Sequence, residues 1–149
     1  MTASEAPASA PSTRPRRGLV ALGVVSVIFG AATLKEGGSV LFVDGASRHA
    51  AGHYVPFVVW FNFLAAFAYV AAGIGIARGR PWAARLALGL GGTTALVFAL
   101  FGAYVLMGGS YEPRTLGAMA IRTLFWMLVG WRACTVLRCL SRHRGTAPG

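Results

Sequence analysis

The sequence predicts an all-α integral membrane protein, a four-helix transmembrane bundle with both termini cytoplasmic. Three observations carry this. Only 12% of the 149 residues are charged and 56% are hydrophobic, whereas an ordinary soluble domain carries about 25% charge. The apolar residues gather into four long runs that are apolar around the whole helical wheel, with no separate stripe for a core and for water. The remaining charge is lopsided, with 14 Lys and Arg against 4 Asp and Glu, a net +10. A basic excess can mean nucleic-acid binding, attraction to anionic lipid, or topology signals beside membrane spans.

Residues 1–17 combine Ala, Ser, Pro and Thr with Arg14, Arg16 and Arg17. Such a composition buries too little apolar surface to order itself, so a disordered basic cytoplasmic tail is expected. The transmembrane domain is expected over 18–140. Its first span, 18–35, carries no charge before Lys35. It is short for crossing a hydrocarbon core of about 30 Å, and snorkelling of Arg17 and Lys35 extends it. The basic start, apolar run and Gly30-Ala31-Ala32 patch also suit a cleavable signal peptide, an alternative that stays open. The second span, 55–77, is charge-free, with Pro56 in its first turn, where a missing N–H does no harm. The third, 83–107, is broken only by Arg85 near its start. The fourth, 115–137, follows Pro113 and carries Arg122 and Arg132.

The short links 78–82 and 108–114 make the last three spans antiparallel neighbours. The link 36–54 is long for a pure loop. It holds the apolar patch Val40-Leu41-Phe42-Val43 and the turn signal Asp44-Gly45. It is expected to lie on the outer membrane face, with Asp44 able to cap a short helix over 46–53. Residues 141–149 are expected to form a second basic cytoplasmic tail.

With four spans both termini share a side. That side holds Arg14, Arg16, Arg17, Arg78, Arg80, Arg85, Arg132, Arg138, Arg142 and Arg144 against Glu5 alone. The opposite side holds Lys35, Arg48, Arg114 and Arg122 with Glu36, Asp44 and Glu112. The positive-inside rule then predicts a multi-pass protein of the cell inner (plasma) membrane, N-in and C-in. The basic tail reads as a topology signal that also attracts anionic lipid head groups, at about 1 kcal/mol per basic residue. No aromatic-interleaved or motif-bearing stretch points to nucleic acid, and none is expected as a partner.

Arg122 is the most informative residue. Eight residues past Arg114, it lies about 12 Å further along the helix, where a charge costs about 2.5–3.5 kcal/mol on the insertion scale. It should therefore face the bundle interior and find partners. Glu36, Glu112 and Arg114 at the helix ends, with Asn62, Tyr69 and Tyr104, complete the expected intramembrane polar cluster. Thr115, Met119, Arg122 and Trp126 fall on one helical stripe, by their spacing of three and four. Two roles are open to Arg122, a structural clamp or a ligand or ion site. His49 and His53, four apart, share a face if helical, the spacing that lets two imidazoles meet one metal, but two ligands do not make a site. Trp60, Phe61 and Phe63 beside Asn62 read as interface anchors, with a quinone or lipid tail as the alternative neighbour. Cys134 and Cys139 point in different directions on a helix and read as free packing cysteines. No Ser-His-Asp spacing, HExxH or paired acids appear, so an enzyme is not the favoured expectation.

Small residues, including Ala65, Ala68, Ala72, Gly73, Gly75 and Gly79 in the second span and Gly89, Gly91, Gly92 and Gly102 in the third, are expected to drive close helix packing. The second span continues Asn62-Phe63-Leu64-Ala65-Ala66-Phe67-Ala68-Tyr69-Val70-Ala71-Ala72-Gly73-Ile74-Gly75-Ile76. It passes through the basic turn Arg78-Gly79-Arg80 into the Ala-rich Trp82-Ala83-Ala84-Arg85-Leu86-Ala87. With the small-residue end of the first span before Lys35, this resembles the DoxX-like family of small four-span bacterial membrane proteins. Members often carry an acid where Asn62 stands, and the fourth span has no counterpart in the family pattern. The resemblance implies a membrane subunit working beside redox or quinone-linked partners and transfers no catalytic residue. The expected function is a non-catalytic membrane subunit or accessory protein of a larger assembly. The alternatives are a small transporter or channel acting as a homo-oligomer and an outward-facing metal or quinone site. No cofactor is required by the sequence.

Overall fold

The computed structural model describes residues 14–43, 45, 52 and 54–137, with the side chains of residues 14 and 15 left aside. The described residues form four helices: α1 (Arg14–Phe42), α2 (Pro56–Ala77), α3 (Pro81–Leu106) and α4 (Pro113–Leu137). Each is long and apolar enough to cross a membrane. The architecture is the all-α, four-span bundle that the apolar runs predict.

Helix boundaries follow local chemistry. A proline opens α2, α3 and α4, where its fixed φ suits a first turn and its missing N–H is not needed. At the ends of α2 and α3 the chain turns at Gly79 (φ 68°) and Gly108 (φ 85°). There Arg80 N–H donates to the Gly75 carbonyl and Gly109 N–H to the Tyr104 carbonyl, at 2.9 and 3.1 Å. This left-handed closure favours glycine. Helix α1 runs past the expected boundary at 35, because Phe42 packs edge-on against Trp60 and Phe63 of α2, with ring centroids 6.0 and 5.3 Å apart. The patch at 40–42 is thus a helix end docked on α2 rather than part of a face-lying link. The expected helix over 46–53 and the tails 1–13 and 138–149 lie outside the described residues.

The helices pair in sequence order: α1 with α2, α2 with α3, α3 with α4, while α1 and α4 touch only lightly. Glycine sets the close pairs. A Cβ on Gly23 would lie 2.6 Å from the Gly73 carbonyl oxygen and from Ala77. One on Gly130 would lie 2.7 Å from the Leu88 backbone nitrogen. In lipid, where apolar burial gives little reward, such backbone contact is a main source of association. Gly73, Gly75 and Gly91 are close-approach positions as expected, but Gly89, Gly92 and Gly102 have open space around them and do not pack the bundle. A glycine carries no side chain to say which way it faces.

The buried core is small and Ala-rich at the Arg78 end, with Ala65, Ala66, Ala72, Ala83, Ala84 and Ala87 around the larger Tyr69 and Trp126. Outside, Ile28, Leu64, Leu96, Ile121 and Leu124 are exposed, the outward apolar face of a protein whose solvent is lipid tails. Cys134 is disulfide-bonded, not the free packing thiol its apolar setting suggests. The helical spacing behind that expectation is described only to Leu137, and Cys139 lies outside the described residues.

Candidate functional site: a polar cleft around Arg122

A cavity of about 340 Å³ opens between α1, α2 and α4 at the end of the bundle opposite the turn 78–80. Its upper rim carries Glu36, Tyr54, Glu112 and Arg114; its floor carries Thr33, Asn62, Met119 and Arg122. Glu36 and Arg114 are exposed, whereas Asn62 and Arg122 are each only 9% exposed. The cleft therefore runs from a charged mouth to a buried cation about 13 Å from the start of α4, at about 1.5 Å per residue.

Arg122 is poorly partnered for a buried charge. Its Nη2 donates to Thr33 Oγ1 at 3.4 Å and its Nη1 to the Met119 sulfur at 4.0 Å. Both distances are at the far limit of a hydrogen bond, and a thioether is a weak acceptor. The Thr33 hydroxyl spends its own proton on the Phe29 carbonyl at 2.9 Å, which leaves a lone pair for the guanidinium. The guanidinium carbon also lies 5.7 Å from the Phe29 ring centroid, within cation–π range. Nε is buried with no partner. Glu36 attracts the guanidinium through space from the mouth, but among the described residues no carboxylate hydrogen-bonds to it. Beside it, Asn62 Nδ2 reaches the same Met119 sulfur at 3.5 Å, and Asn62 Oδ1 is buried without a partner. A buried polar atom left unpaired costs about 1–3 kcal/mol, so the floor gathers several unmet demands in one place.

Beneath Arg122 the bundle closes. Trp126, one turn on, stacks on Tyr69 with ring centroids 4.5 Å apart, and Phe125 stacks on Phe29 at 4.4 Å. These rings form a packed layer below the cleft. Near the rim, Gly52 (φ 59°) lies against the Glu112 carboxylate.

Of the polar residues singled out from sequence, Arg122, Glu112, Arg114, Glu36 and Asn62 come together around this cleft. Two do not line it. Tyr69 is fully buried below, its hydroxyl 3.3 Å from Thr94 Oγ1. Tyr104 lies against Gly109 and packs on the cluster of Val55, Val58, Phe101 and Met119. His49 and His53 lie outside the described residues, and among the described residues no group of three or more His, Cys, Asp or Glu could hold a metal. The expected stripe splits: Thr115, Met119 and Arg122 line the cleft, and Trp126 forms the layer below. Thr33 was not among the expected site residues. Its only sequence signal is a hydroxyl in a charge-free run, and such hydroxyls usually satisfy themselves on their own helix.

No family model, no curated protein and no solved structure matches this chain. The site therefore stands on its own geometry.

Proposed function

We propose that this protein is a non-catalytic binding subunit of the bacterial inner membrane that holds a small ligand at Arg122. The observation that carries this is a nine-tenths buried arginine, under-partnered, facing a cavity of about 340 Å³. That volume falls in the range of ligand pockets, about 300–1,000 Å³. Intramembrane charges are functional by default, because their insertion cost needs a return. The aromatic layer beneath the cleft favours binding over conduction through a single copy. The arginine bias at the Arg78 end supports an N-in, C-in topology, which turns the cleft outward. The DoxX-like resemblance, carried by α1–α3, supports an accessory role beside redox-linked partners, and Arg122 lies outside the resembling segment.

Native mass spectrometry of the full chain in mild detergent tests the reading. A bound small molecule is expected on the native protein and absent from Arg122→Met; a bare chain in both would overturn it. A reporter fused after Gly149 is expected to be active only in the cytoplasm, and external activity would reverse the topology.

A further inference from the structure

Resting on that reading, we infer that the ligand is an amphiphile with an oxyanion head, a carboxylate or phosphate, that reaches Arg122 from within the membrane through the seam between α1 and α4. The chemistry of the floor selects the head group. A guanidinium offers five N–H donors, and its described bonds go to one hydroxyl and one thioether. The Asn62 amide competes for the same sulfur. The floor thus offers more donors than acceptors, although Asn62 Oδ1 is an acceptor still unpaired, and it holds a positive charge with no hydrogen-bonded counter-ion among the described residues. An ammonium head would be repelled. A neutral carbonyl would accept a hydrogen bond but leave the charge uncompensated. A planar or tetrahedral oxyanion meets both needs, and arginine binds such groups through paired N–H donors. Asn62 suits either state of the head. Its amide donates to a bare oxygen in one setting and accepts from a protonated one in the other.

Access selects the body. Ala118 lines the cleft and is exposed, about 7 Å into α4 by the helical rise of about 1.5 Å per residue. It sits within a helix long and apolar enough to span a membrane, on a bundle where α1 and α4 touch only lightly, so the cleft would open there sideways toward lipid. Val59 and Ala118 give its wall an apolar surface, with Val58 and Met119 packed behind. Among the described residues the water-side rim is less welcoming to an anion, because Glu36 and Glu112 stand there against Arg114. A membrane-dissolved anion avoids that rim, and a water-borne one must cross it.

The test uses the full chain in a nonionic detergent with palmitate isotope-labelled at its carboxyl carbon. One bound carboxyl resonance per chain is expected, weakened about tenfold or more in Arg122→Met, as for loss of one charge-assisted bond. Arg122→Lys, which keeps the charge, should bind with intermediate strength. Hexadecanol should not displace palmitate; equal competition by hexadecanol would overturn the oxyanion while leaving a ligand-binding cleft. Displacement by inorganic phosphate at equal concentration would overturn the membrane source and assign the site to a water-borne oxyanion. Undiminished palmitate binding by a folded Arg122→Met would remove Arg122 from the site altogether. Thermal unfolding of each variant verifies folding.

Discussion

Helix α1 presents two faces to the bundle, and they are built on opposite principles. Toward α2 it offers Gly23 and Gly30, and the two backbones approach until a single Cβ would collide. Toward α4 it offers Phe29 and Thr33. Phe29 stacks on Phe125, and Thr33 reaches Arg122 across a gap wide enough to become a cleft. The first seam is close and built on small residues. The second is held apart by rings in one half and left open around a cation in the other. Close backbone contact can hold two helices together in lipid without polar help. A bundle secured by its other three seams can therefore leave the fourth ajar, and a charge at that seam is free to serve something other than the fold.

Substitutions that exchange the properties of the two seams give the sharpest contrasts. The largest effect is expected from Gly73→Leu, whose Cβ would already lie 2.9 Å from the Gly23 carbonyl oxygen. Overpacking there should cost about 3 kcal/mol, visible as loss of the monodisperse peak in size-exclusion chromatography. Ala118→Leu, at the mouth of the open seam, should leave thermal stability unchanged and weaken ligand retention about tenfold, as expected for blocking a preformed site. If both variants unfold alike, the two seams are not different in kind. Below both seams, Tyr69→Phe removes one hydrogen bond to Thr94. It should lower stability by about 0.6 kcal/mol, the average for interhelical bonds in membranes, without altering ligand retention. A loss of ligand there would extend the cleft into the aromatic layer.

The four helices were legible in the sequence because a span must be apolar on nearly every side, and long charge-poor runs stand out in so small a chain. The end of α1 was not. Lys35 and Glu36 look like a helix flank, yet both are exposed on a helix that continues to Phe42, since long charged side chains tolerate such positions. The inward placement of Arg122 and Asn62 was legible for a related reason: polar groups in hydrocarbon have little choice but to turn inward, whereas Glu36, Glu112 and Arg114 meet them at the mouth because they lie at the same end of the bundle. Tyr69 obeys the same rule but finds Thr94 within the core instead. Thr33 was invisible, because its hydroxyl is satisfied on its own helix whether or not it also serves Arg122. The direction of each glycine was equally hidden, and Gly73 and Gly89 look alike until their surroundings are known.

On the proposed function, Arg122 is kept for a ligand and not for the fold. Thermal unfolding of the ligand-free protein against ligand-free Arg122→Met tests it directly. Methionine has a similar reach, carries no charge and suits the Met119 and Phe29 surroundings. If the arginine serves a ligand, its replacement relieves an uncompensated buried charge, and the variant should be more stable by about 2 kcal/mol. A variant that unfolds at lower temperature than the native protein would contradict the account and make Arg122 a structural clamp between α1 and α4.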